Sequence, residues 1–130
     1  MIGGIGLDLC EIARMETLLH NEHFLNRYFT DEEIRYVRGK GRNAAQTLAG
    51  LFAAKEALTK ALGTGIVFDL KEIQILHDEA GQPRYDLSGE AKRLGSGDRF
   101  LLSVSHDGGM AAAFCVREHE SACQTRESSL

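Results

Sequence analysis

The succession of periodic segments predicts an α+β fold, with helices packed on a largely antiparallel sheet. Three observations carry this. The chain opens on an apolar/polar alternation of period two and then changes to helical spacing. Its middle holds one long helical pattern at residues 43–62. It closes on two alternating stretches joined by Asp107-Gly108-Gly109, a hairpin turn sequence. The full order is strand, three helices, two strands, helix, two strands. The 130 residues suit a single domain with its own core, read here as residues 1–117. The remainder, 118–130 (EHESACQTRESSL), is polar and aperiodic, the pattern of a loose tail.

Residues 2–9 read as the first strand, in which Ile5, Leu7 and Leu9 alternate with Gly6, Asp8 and Cys10, so Asp8 points away from the apolar set. A helix is expected at 11–19, with Ile12, Met15, Leu18 and Leu19 on one stripe. Thr30-Asp31-Glu32-Glu33 has the form of a capping box and predicts a helix over 31–38, ended by Gly39-Lys40-Gly41. In the long helix Leu48, Leu51, Lys55, Leu58 and Leu62 recur at helical spacing, and Gly63 is placed to cap its end. Residues 71–77 and 84–87 read as paired strands about a Gly81-Gln82-Pro83 turn. Ser88 is placed to cap a short helix reaching residue 94, and 99–106 and 110–117 are the closing strands.

Composition narrows the function classes. Hydrophobic residues make up 43% and charged residues 26%, close to an ordinary globular domain. No apolar run is long enough to span a bilayer, and MIGGIGLDL lacks the basic start of a secretory signal. Cys10, Cys115 and Cys123 are odd in number and widely spaced, which argues against a disulfide framework or a zinc knuckle and for a reducing, cytoplasmic setting. Charge is uneven. Residues 34–65 hold Arg35, Arg38, Lys40, Arg42, Lys55 and Lys60 against Glu56 alone, a local +5 in a chain of net charge −4. A basic block in an acidic chain points to a local anionic partner. An RNA-binding surface would interleave aromatics with these charges, yet only Tyr36 lies between Arg35 and Arg42. Neither a nucleic-acid nor a membrane partner is expected.

Several residues are candidates for chemistry. Lys55 lies near the centre of its helix's apolar stripe, where a lysine must snorkel, pair or face a ligand. Glu56 and Lys60, four apart on the flank, form an exposed ion pair or part of a site. Gly63-Thr64-Gly65 bares backbone that can approach a phosphate, although most such turns only cap helices. Asp8 near a strand end needs solvent, a cation or a partner, and with Glu56 it offers the two carboxylates that often hold Mg²⁺ beside substrate phosphates. Ser103, Ser105, His106 and Asp107 look hydrolase-like but lie on one strand and turn without a nucleophile elbow. His106 shares a face with Leu102 and Val104.

Three segments together resemble a known family. IGGIGLDLCEIAR (residues 2–14) is similar to the G-x-G-x-D-x-x-E motif of holo-[acyl-carrier-protein] synthases. LAGLFAAKEALTKALGTG (48–65) resembles their second motif, and SVSHDGGMAAA (103–113) their closing hairpin. Order and spacing agree, and the three span nearly everything but the tail.

The resemblance implies the phosphopantetheinyl transferase fold and transfer of the phosphopantetheine arm of coenzyme A to a serine of apo-acyl carrier protein, serving fatty acid synthesis. It makes Asp8 and Glu56 ligands of Mg²⁺ and Lys60 a pyrophosphate contact, with Asp8, Glu56 and Lys60 as the catalytic set. Lys55, Gly63, Thr64, Gly65 and His106 become coenzyme A contacts, His106 across a subunit boundary of a homotrimer. Arg14 and Arg27 become the face that meets the acidic carrier protein. Phosphoryl transfer is chiefly positioning and charge neutralisation, which these residue types supply. The serine's base is left open between Glu56 and a metal-bound water. In one place the chain departs from the family: Leu51 stands where an arginine is usual, leaving Lys40, Arg42 or a neighbouring subunit to substitute. A transferase for a polyketide or other secondary carrier protein, and a non-catalytic carrier-binding module, are the competing readings.

Overall fold

The computed structural model describes residues 1–119; the rest of the expected tail, Cys123 included, lies outside them. Strand β1 (Ile2–Glu11) leads into helices α1 (Ile12–Leu18), α2 (Glu22–Tyr28), α3 (Asp31–Arg38) and, through a 3-10 turn, the long α4 (Ala44–Leu62). Strands β2 (Ile73–His77) and β3 (Pro83–Leu87), helix α5 (Gly89–Gly95) and strands β4 (Arg99–Asp107) and β5 (Met110–Glu118) follow. All strand pairs are antiparallel, as expected, but they fall into two sheets: β1-β5-β4 and the separate β2-β3 hairpin.

The local signals behave as elementary stereochemistry requires. At α3 the Thr30 hydroxyl accepts from the Glu33 amide and the Glu33 carboxylate accepts from the Thr30 amide, the reciprocal box expected. Gly108 and Gly109, at φ 58° and 80°, make the two-residue turn between β4 and β5 that only residues tolerant of positive φ form cheaply. β5 runs on to Glu118, and the His119 amide donates to the Met1 carbonyl.

Two expectations need correction. Helix α2 was not anticipated. Asn21 caps it by accepting from the Phe24 amide, and its Leu25 is buried, but seven residues give too few turns for a periodic stripe. Lys71 and Glu72 are not strand. They belong to a 3-10 turn, Leu70–Glu72, because Asp69 accepts from the Lys71 amide and curls the chain before β2.

Helix α4 is the core of the molecule, with 14 of its 19 residues buried. β1 packs on it through Gly4, Gly6, Asp8 and Cys10 and turns Ile5, Leu7 and Leu9 outward, each more than half exposed. The strand's apolar face therefore looks away from the core. Among the described residues no helix is long and apolar enough to cross a membrane, and Cys10 and Cys115 are buried free thiols.

Candidate functional site

Asp8 and Glu56 come together because β1 lies directly on α4. Gly6 and Gly4 let the strand backbone touch the helix at Ala57 and Ala61, one residue and five residues beyond Glu56. Asp8, two positions on from Gly6, projects from the same face. Burial, and next the Asp8 carboxylate, push the Glu56 carboxyl above the ordinary range, while Lys60 and Arg14 oppose them. Lys60, one helical turn beyond Glu56, reaches over: its ammonium donates to Asp8 Oδ1 at 3.2 Å and to the Leu7 carbonyl at 2.9 Å. Two carboxylates and a lysine thus share one corner, of which Glu56 also lines a cavity whose walls include Arg27, Phe52, Ile66, Phe68 and Leu70.

The donor set suits a hard divalent cation: two carboxylates that repel one another, with oxygen ligands only. Among the described residues no three His, Cys, Asp or Glu gather into a site complete by itself. A divalent cation at Asp8 and Glu56 would therefore need further oxygen ligands beyond side-chain carboxylates.

Lys55 is placed elsewhere. Its side chain has no exposed surface, and its ammonium donates to Glu33 Oε1 (2.8 Å), the Ile73 carbonyl (2.6 Å) and the Leu70 carbonyl (3.1 Å). All three protons are spent inside the protein, so the expected coenzyme A contact is corrected: Lys55 has neither surface nor a spare donor for a phosphate. Burial draws its pKa down, and Glu33 works against that. Glu33 is the residue that the sequence reading missed. It was legible only as the far end of a capping box, whereas one of its oxygens also accepts from Lys55 and the other from the Ile75 amide. A lysine in an apolar stripe was the available signal that an acid must be buried opposite it.

Gly63 and Gly65 follow α4 at φ 77° and 74°, with Thr64 exposed between them. The Gly63 amide already donates to the Thr59 and Lys60 carbonyls. The turn also sits at a helix C-terminus, whose partial charge repels anions.

His106 is not at this corner. It lies at the end of β4 by the first half of α4, bonded to the Gln46 side chain (2.9 Å), in a second cavity walled by Tyr36, Leu51, His77 and Val104. Leu51 is buried in that cavity's wall. Lys40, one of its suggested substitutes, lies 4.5 Å from the centre of the Tyr36 ring. Arg14 and Arg27 flank the Asp8–Glu56 corner. The Arg14 guanidinium lies 5.6 Å from the Phe52 ring centre and acts on Glu56; Arg27 lines the Glu56 cavity.

A profile of the 4′-phosphopantetheinyl transferase superfamily matches residues 4–115. The chain is 42% identical over 123 residues to a holo-[acyl-carrier-protein] synthase of Caldicellulosiruptor saccharolyticus, an alignment that spans 92% of this chain and 99% of that one. Its fold is similar to the crystal structure of holo-[acyl-carrier-protein] synthase from Neisseria meningitidis, with TM-score 0.80, 37% identity and coverage of 92% and 100%. It is similar also to the Helicobacter pylori holo-[acyl-carrier-protein] synthase solved in complex with coenzyme A, with TM-score 0.77, 33% identity and coverage of 88% and 99%.

Proposed function

Because the chain belongs to the 4′-phosphopantetheinyl transferase superfamily, we propose that it transfers the 4′-phosphopantetheine arm of coenzyme A to a serine of apo-acyl carrier protein. Holo-carrier protein and adenosine 3′,5′-bisphosphate are the products. The observation that supports this best is the Asp8–Glu56 pair with Lys60 bonded to Asp8, where Glu56 also lines a cavity. The serine oxygen bonds to the phosphorus that carries pantetheine, the pyrophosphate bridge breaks, and the bridging oxygen leaves with the bisphosphate. Asp8 and Glu56 would hold Mg²⁺, which when bound would supply charge neutralisation for the pyrophosphate. Lys60 adds a cation beside it. The serine proton passes to Glu56 or to a water beside it. Fatty acid synthesis in the cytoplasm is the setting proposed.

We further propose a homotrimer in which His106 serves a neighbouring chain's site. The supporting feature is the outer face of the three-stranded sheet, where Ile5, Leu7, Leu9, Leu101 and Phe114 are 42–61% exposed. Incubating the chain with coenzyme A, Mg²⁺ and apo-carrier should add one phosphopantetheine to the carrier's intact mass. An unchanged carrier mass would overturn the reading. Light scattering of the same sample should give three times the chain mass, and a monomer would remove the trimer.

Arg14 and Arg27 are proposed to meet the acidic carrier protein. Exposed charges of this kind act chiefly on encounter rate and orientation. Arg14→Glu should raise the KM for carrier protein and leave the KM for coenzyme A nearly unchanged. Raising salt from about 0.05 to 0.5 M, which shortens the Debye length well below ~10 Å, should weaken the wild type more than the variant. An unchanged carrier KM and salt response would take Arg14 off the docking face.

A further inference from the structure

Lys55 precedes Glu56 in α4 yet takes no part in the Asp8–Glu56 corner, and one of its bonds leads to Leu70, which lines the same cavity as Glu56. Its three acceptors come from three places: Glu33 on α3, the Leu70 carbonyl opening the 3-10 turn, and the Ile73 carbonyl at the start of β2. Glu33 in turn accepts from the Ile75 amide, so the same pair also grips β2.

Residues 63–72, between α4 and β2, include Ile66, Phe68 and Leu70, which wall the cavity that Glu56 opens onto. The C-terminal end of the segment is held by Glu72, whose main-chain carbonyl accepts from the Ser88 amide and whose carboxylate accepts from the Ala91 amide. From Thr64 to Leu70, where Phe68 is partly buried against the core, the segment's own bonds are local: the Thr64 hydroxyl to the Gly65 carbonyl, and the Lys71 and Glu72 amides to Asp69. Ile66 and Val67 are more than half exposed. Leu70 is the buried point of the stretch, and its carbonyl is bonded by Lys55.

We propose that Lys55 is a positioning residue for coenzyme A: it anchors the 63–72 segment to α4 so that the cavity wall stands at a fixed distance from Glu56. This rests on the transferase reading above. A lysine suits the task because its ammonium has three donors and can take three acceptors from three elements at once. Methionine fills similar volume but leaves both carbonyls without a donor.

The test compares two variants. Glu33→Gln removes the ion pair's charge but keeps Lys55 and its two carbonyl bonds, so it lowers the melting temperature and leaves both KM values within about twofold. Glu33→Gln combined with Lys55→Met releases Leu70 and Ile73. In the folded double variant the KM for coenzyme A rises about tenfold or more, with the carrier KM within about twofold. Equal KM shifts in the two variants, unchanged values in the double variant, or parallel rises for both substrates would overturn the proposal. If the double variant does not fold, hydrogen exchange on the wild type decides. Coenzyme A with Mg²⁺ slows exchange in the 63–72 peptide if that segment is the wall, and unaffected exchange there overturns the proposal. Wild-type loading of apo-carrier runs alongside. Its absence sinks the transferase reading, whereas normal loading with unaltered variants sinks only the role given to Lys55.

Discussion

Glu56→Gln is expected to abolish carrier loading while leaving the chain folded and slightly more stable than the wild type at neutral pH. Burial and the Asp8 carboxylate raise the Glu56 pKa in the folded state. A raised carboxyl pKa means that the group's favourable contribution is present below its unfolded-state pKa and is lost as pH rises through the folded value. At pH 7 the ionised Glu56 is therefore a net cost to the metal-free fold, and glutamine removes it. The side chain is only partly buried, so solvent screening keeps the gain below about 1 kcal/mol, or ~4 °C in Tm. Function moves the opposite way. Losing one of two charges at a phosphoryl-transfer centre costs about 100-fold or more in turnover, and Asp8→Asn should match it. In the metal-free protein the raised Glu56 pKa means that protons compete with Mg²⁺ for this site, so more Mg²⁺ should be needed for half-maximal loading as the solution is acidified. Melting curves at pH 7 with and without Mg²⁺, beside intact-mass loading assays, check each part. Mg²⁺ should raise the Tm of the wild type and not of either variant. A Glu56→Gln protein that loads carrier at the wild-type rate would remove Glu56 from the site, and one that melts well below the wild type would show that the charge supports the fold.

This antagonism between stability and activity bears on what the sequence could disclose. Features whose cause is local were legible. Thr30 and Glu33 marked a helix start, Gly63 a helix end, and Gly108-Gly109 a hairpin, because each rests on backbone geometry within four residues. Asp8, Glu56 and Lys60 were legible because an acid near a strand end and an ion pair beside an apolar stripe are locally odd, and the family resemblance gave them one corner. What escaped depends on contacts distant in sequence. Glu33 and Lys55 are 22 residues apart, and the capping box fully accounted for Glu33 without its partner. The outward turn of Ile5, Leu7 and Leu9 escaped as well. Period two says that two faces differ but not which one is inside, and here Gly6 on the other face decided it.

Gly6 is where the fold and the site are most tightly joined, and Gly6→Ala should damage both. A Cβ on Gly6 would lie 1.8 Å from the Ala57 carbonyl oxygen and 3.0 Å from the Ala61 nitrogen. The obstructing atoms are main chain of α4, which no rotamer change can move, so β1 must lift off the helix. Gly4 would meet the Ala61 carbonyl at 2.2 Å and gives no slack nearby. Overpacking a core usually costs about 1–3 kcal/mol, and a clash of backbone on backbone belongs at or beyond the upper end. The expected loss is about 3 kcal/mol or more, ~10 °C or more in Tm. Lifting the strand also carries Asp8 away from Glu56, so surviving folded protein should need more Mg²⁺ for the same loading rate. Gly3→Ala is the control. The atoms its new Cβ would meet first belong to the ring of His119, at 2.5 Å, a partly exposed side chain whose swing costs at most its bond to Asp98 rather than a main-chain shift, and the cost should stay below about 1 kcal/mol. The comparison separates close approach from the general loss of a glycine's freedom, because both positions lie in β1 and neither has a positive φ. If Gly6→Ala melts within about 2 °C of Gly3→Ala and loads carrier at the same Mg²⁺ concentration, then the contact between β1 and α4 is not what brings the two carboxylates together.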